Sequence, residues 1–419
     1  MIEAIRNAFR IPDLRKKLLF TLAIIVLYRV GAHIPVPGID PQVFKDLVSS
    51  TSVLGMMNLF AGGALENFAV FALGIMPYIT ATIIMQLLQA VIPTVERWAK
   101  EGEAGQRKIT QTARYMTLGI ALAQSLGYLT LIQAPASSNG LGIQLDFLTE
   151  IVIVISLIAG TAAIMWMGEL ITQRGIGNGM SLLIFASIIA RFPATIVSSV
   201  TTQPWTAVVM LVLFLGIIAA VVFMDRGQRR IPVQYSKRVV GRRVYGGVGT
   251  YIPLKVNAAN VIPIIFASSI LMFPGMIAPF FPNALWLTKF AEALTSGWIH
   301  IALYAILIVF FTYFYTALIF NPMETADSLR KNGGFIPGVR PGKATAQHIE
   351  HVLNRITLPG SLFLAFIAVL PQMLFMQTGN SLVQSFGGTS ILIMVGVALE
   401  TMRQLESQLQ MRHYDGFFG

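Results

Sequence analysis

The 419-residue chain contains no cysteine and very little charge. The absence of cysteine excludes disulfide bonds, thiol nucleophiles and metal sites with cysteine ligands. Charged residues make up only 12% of the chain, whereas soluble domains have about 25%. Hydrophobic residues make up 55% even before the 36 glycines are counted, and a water-soluble fold cannot bury that much apolar surface. The composition therefore predicts an integral membrane protein.

Motifs for catalysis, metals and cofactors are also lacking. The sequence HIEH, from His348 to His351, does not have the spacing of the zinc motif H-E-x-x-H. The sequence GIGNG, from Gly175 to Gly179, is followed by no GK[ST], so a tight turn explains its glycines better than a phosphate loop. We therefore expect no catalytic residues, no cofactor and no metal.

Ionisable residues are scarce inside the apolar stretches. Arg29, Glu169 and Arg191 lie towards the ends of these stretches, and the sequence offers no obvious partner for any of them. Ion-coupled transporters usually hold carboxylates or histidines near the middle of the membrane. This pattern disfavours a proton-driven carrier.

Ten apolar stretches fill the chain, and a helix needs about 20 residues to cross the hydrocarbon core of a bilayer. Of the 30 lysines and arginines, all but Arg29, Lys45, Arg191 and Lys289 fall in alternate connections or at the two ends. Basic residues mark cytoplasmic connections, so both termini are predicted to lie in the cytoplasm. The predicted spans are Leu18–Pro37, Phe68–Ile92, Tyr115–Ala134, Phe147–Ile171, Met180–Val200, Trp205–Phe223, Ala258–Phe281, Ile299–Phe320, Thr357–Met376 and about Ser385–Met402.

Ten spans divide near Pro204 into two halves of five, residues 1–200 and 205–419. An odd number of spans in each half means that the second half is inserted upside down relative to the first, as in inverted repeats. The second span of each half also carries an early proline, at Pro77 and Pro263. The predicted fold is an all-α membrane protein with two inverted five-helix halves.

The segment from Leu54 to Asn67 is apolar but too short, and too rich in glycine, to cross the membrane. Irregular backbone at membrane depth persists only where protein or a wet cavity surrounds it. A short re-entrant helix that stops an outward-facing vestibule satisfies this condition. A loop helix lying on the outside of the bundle is the alternative.

Apolar residues four apart share a face of a helix, as do Ile75 with Ile79 and Met180 with Ile184. A ring of such side chains can close a pore because water leaves a narrow apolar neck. Plain packing between helices is the alternative interpretation of both pairs.

Two predicted cytoplasmic loops, residues 225–255 and 321–355, are longer and more basic than topology requires. Their alternating apolar residues suggest hairpins that stand off the membrane, with turns at Gly246 and Gly247 or at Gly333 and Gly334. Basic hairpins attract RNA phosphates or acidic protein surfaces. Fixing the topology alone is the alternative role.

Long strings of the sequence resemble the SecY family, the channel subunits of bacterial protein translocases. The resemblance runs from the first predicted span to the tenth. It is carried by NLFAGGAL, LGIMPYITATIIMQLL, GELITQRGIGNGMSLLIF, RGQRRIPVQYSKR, GRRVYGG, IPLKVNAANVIPIIFASS and NPMETADSLRKNGGFIPGVRPGKAT.

The resemblance implies four sets of functional residues. The family's stopper, called the plug, corresponds to about residues 54–65 and includes Met57, Asn58, Leu59, Phe60, Ala61, Gly62, Gly63 and Ala64. The pore ring corresponds to Ile75, Ile79, Met180, Ile184, Ile265 and Ile393, with methionine replacing the usual isoleucine at position 180. The lateral gate, through which hydrophobic segments leave for the lipid, corresponds to Thr80, Gln124 and Asn257, and partner docking to Arg230, Arg242, Arg243 and Arg340.

The resemblance also implies a function. The expected protein is a passive channel without enzymatic activity, which passes unfolded secretory polypeptides and is driven by a partner ATPase or by translation. The implied partners are SecE, SecG, the SecA motor, the ribosome, signal sequences, nascent polypeptides and membrane lipid. An inverted-repeat transporter of small molecules is the second hypothesis, and an intramembrane enzyme is the third.

Overall fold

The computed structural model describes residues 9, 11–50, 52–133, 143–202, 204–235, 238–240, 243–245, 249–278, 285–295, 297–378 and 388–415. This part of the chain is mostly helical, as predicted, and holds five short strands. The helices are α1 (Pro12–Gly31), α2 (Pro41–Ser50), α3 (Ser52–Phe60), α4 (Met76–Val91), α5 (Pro93–Lys100), α6 (Glu103–Gln133), α7 (Phe147–Arg174), α8 (Gly179–Thr202), α9 (Pro204–Arg226), α10 (Ile262–Ile277), α11 (Leu285–Thr295), α12 (Gly297–Ile319), α13 (Pro322–Lys331), α14 (Lys343–Thr378) and α15 (Gly388–Asp415). The strands are β1 (Gln228–Tyr235), β2 (Arg238–Val240), β3 (Arg243–Tyr245), β4 (Thr250–Lys255) and β5 (Gly334–Phe335).

Each of the ten predicted spans overlaps a helix in this part of the chain, but the helix of the first span ends at Gly31, before the predicted Pro37, and that of the second begins only at Met76, after the predicted Phe68. The helices are α1, α4, α6, α7, α8, α9, α10, α12, α14 and α15. By length and composition alone, four helical stretches among the described residues can cross a membrane, namely α6, α7, α12 with α13, and α14. A fifth is added when α4 and α5 are counted as one bent span. Helix α15 begins at Gly388, so the first residues predicted for the tenth span lie outside the described residues.

A bend of 100° separates α4 from α5. Ile92 stands between the two helices in an extended conformation, because Pro93 sterically disfavours helical backbone in the residue before it. Helix α5 then folds back, and Val95 packs into a small apolar cluster with Ile109 and Ala113 of α6. This bend ends the second predicted span abruptly and turns its continuation into a surface hairpin.

The exposed side of α5 carries a charged pair at helical spacing. The Lys100 Nζ donates to Glu96 Oε1 over 2.6 Å, and this hydrogen bond lowers the pKa of Glu96. Exposed pairs of this kind add little stability, so the apolar contacts beneath hold the hairpin.

The loop between α9 and α10 contains the predicted antiparallel strands. Strand β1 pairs with β4, with Ile231 opposite Ile252, and also with β5, where Tyr235 is opposite Gly334. Strands β2 and β3 form a separate two-stranded hairpin. The predicted turn at Gly246 and Gly247 lies outside the described residues.

The sheet buries one face in an apolar cluster. Ile231 and Val233 alternate with exposed residues along β1, as expected of a strand with one buried face. They pack with Leu254 of β4 and with Ile349 and Leu353 of α14. This cluster joins both basic loops into one folded element.

The chain divides into two compact units. One comprises residues 1–208, 268–300 and 396–419, and the other comprises residues 209–267 and 301–395. The first contains the contacts among α1, α3, α4, α6, α7 and α8, and the second contains the sheet with α13 and α14. The inverted halves expected from the sequence, residues 1–200 and 205–419, stay a prediction.

Candidate functional site

The predicted stopper begins as the short helix α3 and then turns back on itself. The helix ends at Phe60, earlier than the predicted re-entrant segment, because Gly62 and Gly63 both adopt positive φ, at 65° and 90°. Glycine takes this conformation without steric cost, so the chain reverses there. The Ala69 amide N–H then donates to the Ala64 carbonyl oxygen over 2.8 Å. The segment predicted as the stopper is therefore a helix followed by a compact turn.

Apolar contacts surround the stopper within the first unit. Met57, Phe60, Ala61 and Ala64 are buried, and the side chain of Asn58 is buried among them. The hydroxyl of Tyr128 on α6 lies 3.7 Å from the sulfur of Met57. Leu59 belongs to α3, but the placement of its side chain is outside the described part. The sequence segment thus folds into the protein rather than onto its surface.

Polar contacts fix the turn of the stopper to two of the long helices. Arg29 Nη1 on α1 donates to the Gly62 carbonyl oxygen over 2.8 Å. Arg191 Nη2 on α8 donates to Glu66 Oε2 over 2.5 Å. No partner for Arg29 or Arg191 is obvious from the sequence, because both partners come from a turn far away along the chain.

Glu169 also has a partner that the sequence did not reveal. The Nε and Nη2 of Arg114 on α6 donate to the two carboxylate oxygens of Glu169 on α7, over 2.7 and 2.6 Å. This fork-shaped pairing is strong and geometrically specific. It ties the two helices together at the end of their spans. No local sequence pattern reveals this pair, because its two residues lie 55 positions apart along the chain.

The residues of the predicted pore ring are mostly buried. In the first unit Ile75 stands at the N-terminal cap of α4, and Ile79 follows one turn later. Ile184 of α8 is also buried. In the second unit Ile265 lies on α10, and α15 carries Ile393; both are buried.

Met180 differs from the other ring residues because it is partly exposed. Its sulfur lies against Gly168 of α7, where any side chain on the glycine would overlap it. Gly179 approaches the Gly168 carbonyl in the same way. Small residues let helix backbones approach closely, and here they leave a notch that receives the methionine side chain.

The residues predicted for the lateral gate lie in different kinds of structure. Thr80 is buried on α4, and its hydroxyl donates to the Met76 carbonyl oxygen over 3.0 Å. Gln124 is buried on α6. Asn257 lies in the turn before α10, and its Nδ2 donates to the Asn260 carbonyl oxygen over 3.1 Å. Asn260 itself has a φ of 52°, so this bond supports an unusual turn.

The residues predicted to dock partners lie on the basic loops. The guanidinium of Arg230 on β1 stands 4.7 Å from the ring centroid of Tyr251 on β4, in a cation–π contact. Arg340 is exposed, and its carbonyl oxygen accepts a hydrogen bond from Thr345. Arg242 lies outside the described residues, as does the side chain of Arg243 on β3. The described part of this surface is therefore basic and held by the sheet.

Comparison with known proteins gives consistent matches. The sequence model of the SecY family matches residues 69–402. The protein translocase subunit SecY of Streptomyces galbus is 52% identical over 435 aligned residues, which cover 100% of both chains.

Solved structures match over nearly the whole length. A structure that describes how the plug domain of SecY stabilises the closed channel has a TM-score of 0.67 and 18% identity, with 96% of each chain covered. The canine Sec61 channel in its complex with the ribosome has a TM-score of 0.58 and 18% identity, again with 96% of each chain covered. At these identities the structural matches establish the fold.

Proposed function

The chain belongs to the SecY family of protein translocase channels, and from this membership we propose that it passes unfolded secretory polypeptides across the cytoplasmic membrane. Hydrophobic segments leave sideways into the lipid through a gate that includes Thr80, Gln124 and Asn257. The chain is a passive, multi-pass membrane channel, and a partner ATPase or translation supplies the energy.

The observation that supports this function most directly is the seat of the stopper. A side chain on Gly74 would begin 3.1 Å from the Cα of Ala61, so the turn of the stopper lies directly against the start of α4. The next residue of the chain is Ile75, the first residue of the proposed ring. A buried, glycine-rich turn beside the ring residues is what a removable stopper requires.

The ring closes the channel by excluding water. Its six residues are Ile75, Ile79, Met180, Ile184, Ile265 and Ile393, and none of them is charged. A narrow apolar neck dewets, which blocks ions without any charged gate. Flexible apolar side chains can also fit around a passing polypeptide.

Partner proteins bind the channel on its basic loops and as accompanying small subunits. The basic loops, with Arg230, Arg242, Arg243 and Arg340, receive the ribosome or the SecA motor by electrostatic attraction. The ribosome complex of the related Sec61 channel supports this role. SecE and SecG accompany the channel, and both termini lie in the cytoplasm, as the distribution of basic residues indicates.

Transport by purified components tests the function. The protein is reconstituted with its small subunits in lipid vesicles, and a motor ATPase, ATP and an unfolded secretory protein are added outside. We expect the secretory protein to become resistant to added protease, and to stay sensitive when ATP is omitted. Uptake of small solutes without any protection of the polypeptide would favour the small-molecule transporter instead.

A further inference from the structure

We propose that Glu66, Arg191 and Arg29 form a charged latch that returns the stopper to one defined seat and holds it there. Glu66 follows the stopper turn, Arg29 lies on α1 and Arg191 lies on α8, all within the first unit. This inference rests on the stopper role proposed above. It assigns a positioning role to residues that belong neither to the ring nor to the gate.

The first half of the latch is the carboxylate of Glu66. Its Oε2 accepts hydrogen bonds from Arg191 Nη2 over 2.5 Å and from Asn58 Nδ2 over 3.1 Å. The Glu66 amide N–H donates in return to Asn58 Oδ1 over 3.1 Å. Asn58 lies in the stopper helix and Glu66 follows the turn, so this pair closes the stopper on itself. Arg191 then ties the closed stopper to α8.

The second half of the latch holds the tip of the turn. Arg29 Nη1 donates to the Gly62 carbonyl oxygen over 2.8 Å. Next to it, the hydroxyls of Tyr28 and Ser187 share a hydrogen bond of 2.6 Å, which joins α1 to α8. A side chain on Gly62 would begin 2.9 Å from the Cα of Ser187, so the glycine lets the tip reach this junction.

Polar contacts are needed here because the tip has few apolar atoms. Residues 61–64 read Ala-Gly-Gly-Ala, so two methyl groups are its only side-chain atoms. Dispersion and apolar burial scale with atoms and area, so they position such a segment poorly. Hydrogen bonds to ionised groups are directional and comparatively strong, and they specify one position.

Partial exposure makes the latch reversible. The side chains of Arg191 and Glu66 are 31% and 25% exposed, so water can replace each partner when the stopper leaves. A fully buried pair would leave a costly uncompensated charge on opening, and a fully exposed pair would contribute almost nothing. Lys45 stands 3.6 Å from Glu66 Oε1 but is 61% exposed, so it belongs to the surface and not to the latch.

Ion current in the absence of substrate tests the latch. The full protein with its small subunits is placed in a planar bilayer, and the fraction of time in the conducting state is measured for Glu66→Gln, Arg191→Gln and the double variant. We expect each single variant to raise this fraction about tenfold, which corresponds to about 1.4 kcal/mol. The double variant should add little more, because the two groups act on each other. Lys45→Gln is the matched control, with a change of less than about twofold.

The deletion of residues 57–64 separates the latch from the stopper role. If the deletion conducts ions but the charge variants do not, or if their effects simply multiply, the latch is overturned and the stopper role stands. If the deletion fails to conduct in assembled protein, the stopper role itself is wrong.

A covalent replacement of the latch gives an independent readout. Because the chain has no cysteine, Glu66→Cys and Arg191→Cys create a single pair for a short reducible cross-linker. We expect cross-linking to block driven translocation and reduction to restore it. Translocation that continues through the cross-linked channel would contradict the proposal.

Discussion

Replacing Ile79 of α4 by asparagine should make the resting channel conduct ions. Ile79 is only 6% exposed, so an asparagine there places its amide in a nearly dry environment. An amide that loses its water without a new partner carries a penalty of about 1–3 kcal/mol. Water that enters the neck removes this penalty, so the substitution favours the wet state of the pore.

The size of the effect follows from the same penalty. A change of about 1–3 kcal/mol shifts a two-state equilibrium by roughly 5- to 150-fold, here from dry towards wet. Ile184 on α8 is 2% exposed and belongs to the same unit, so Ile184→Asn should act similarly. The double variant should exceed either single variant, because each amide contributes its own penalty.

Current across a planar bilayer, measured without substrate, provides the assay. The matched control is Ile84→Asn on the same helix. Five residues along α4 correspond to a rotation of about 140°, so Ile84 faces away from Ile79, and its side chain is less buried. Equal currents from Ile79→Asn and Ile84→Asn would refute the ring, as would the absence of current from correctly assembled Ile79→Asn.

Three further predictions follow from the loops and the topology. Arg340→Glu should abolish driven translocation without lowering protein abundance, because a reversed charge repels an acidic partner. The matched variant at the exposed neighbour, Lys343→Glu, should retain most translocation activity, and a loss of abundance in Arg340→Glu would show that Arg340 is structural. Ile349 lies in the apolar core beneath the sheet, so Ile349→Ala should destabilise the folded basic loops by about 2–5 kcal/mol. Limited proteolysis of the loops should then be faster, and an unchanged rate would contradict the packing. A reporter enzyme that is active only outside the cell should work when fused at Asn380 and fail at Gly334, and activity at Gly334 would overturn the span map.

Local sequence patterns were sufficient for much of this protein. Each membrane span is a continuous apolar segment whose backbone bonds are satisfied within itself, so its position depends on neighbouring residues alone. The helices found at all ten predicted spans reflect this. The bend after α4 is equally local, because Pro93 restricts Ile92. The hairpin strands of the loop at residues 225–255 could also be recognised, from their alternating apolar residues. The hairpin predicted for the loop at residues 321–355 was wrong, because its described residues form helix α13, the start of helix α14 and only the two-residue strand β5, which pairs with β1.

Only the tertiary structure decided which distant residues meet. Glu66 and Arg191 are separated by 125 positions, and no spacing rule connects them. Their bond exists because α3, α8 and the stopper turn pack into one unit, as the pairing of Arg114 with Glu169 exists because α6 lies beside α7. The sequence showed Arg191 and Glu169 as isolated charged residues towards the ends of apolar stretches, with no sign of their partners. Long side chains at the ends of packed helices find partners only in three dimensions, and those partners place the proposed stopper beside the residues proposed to close the pore.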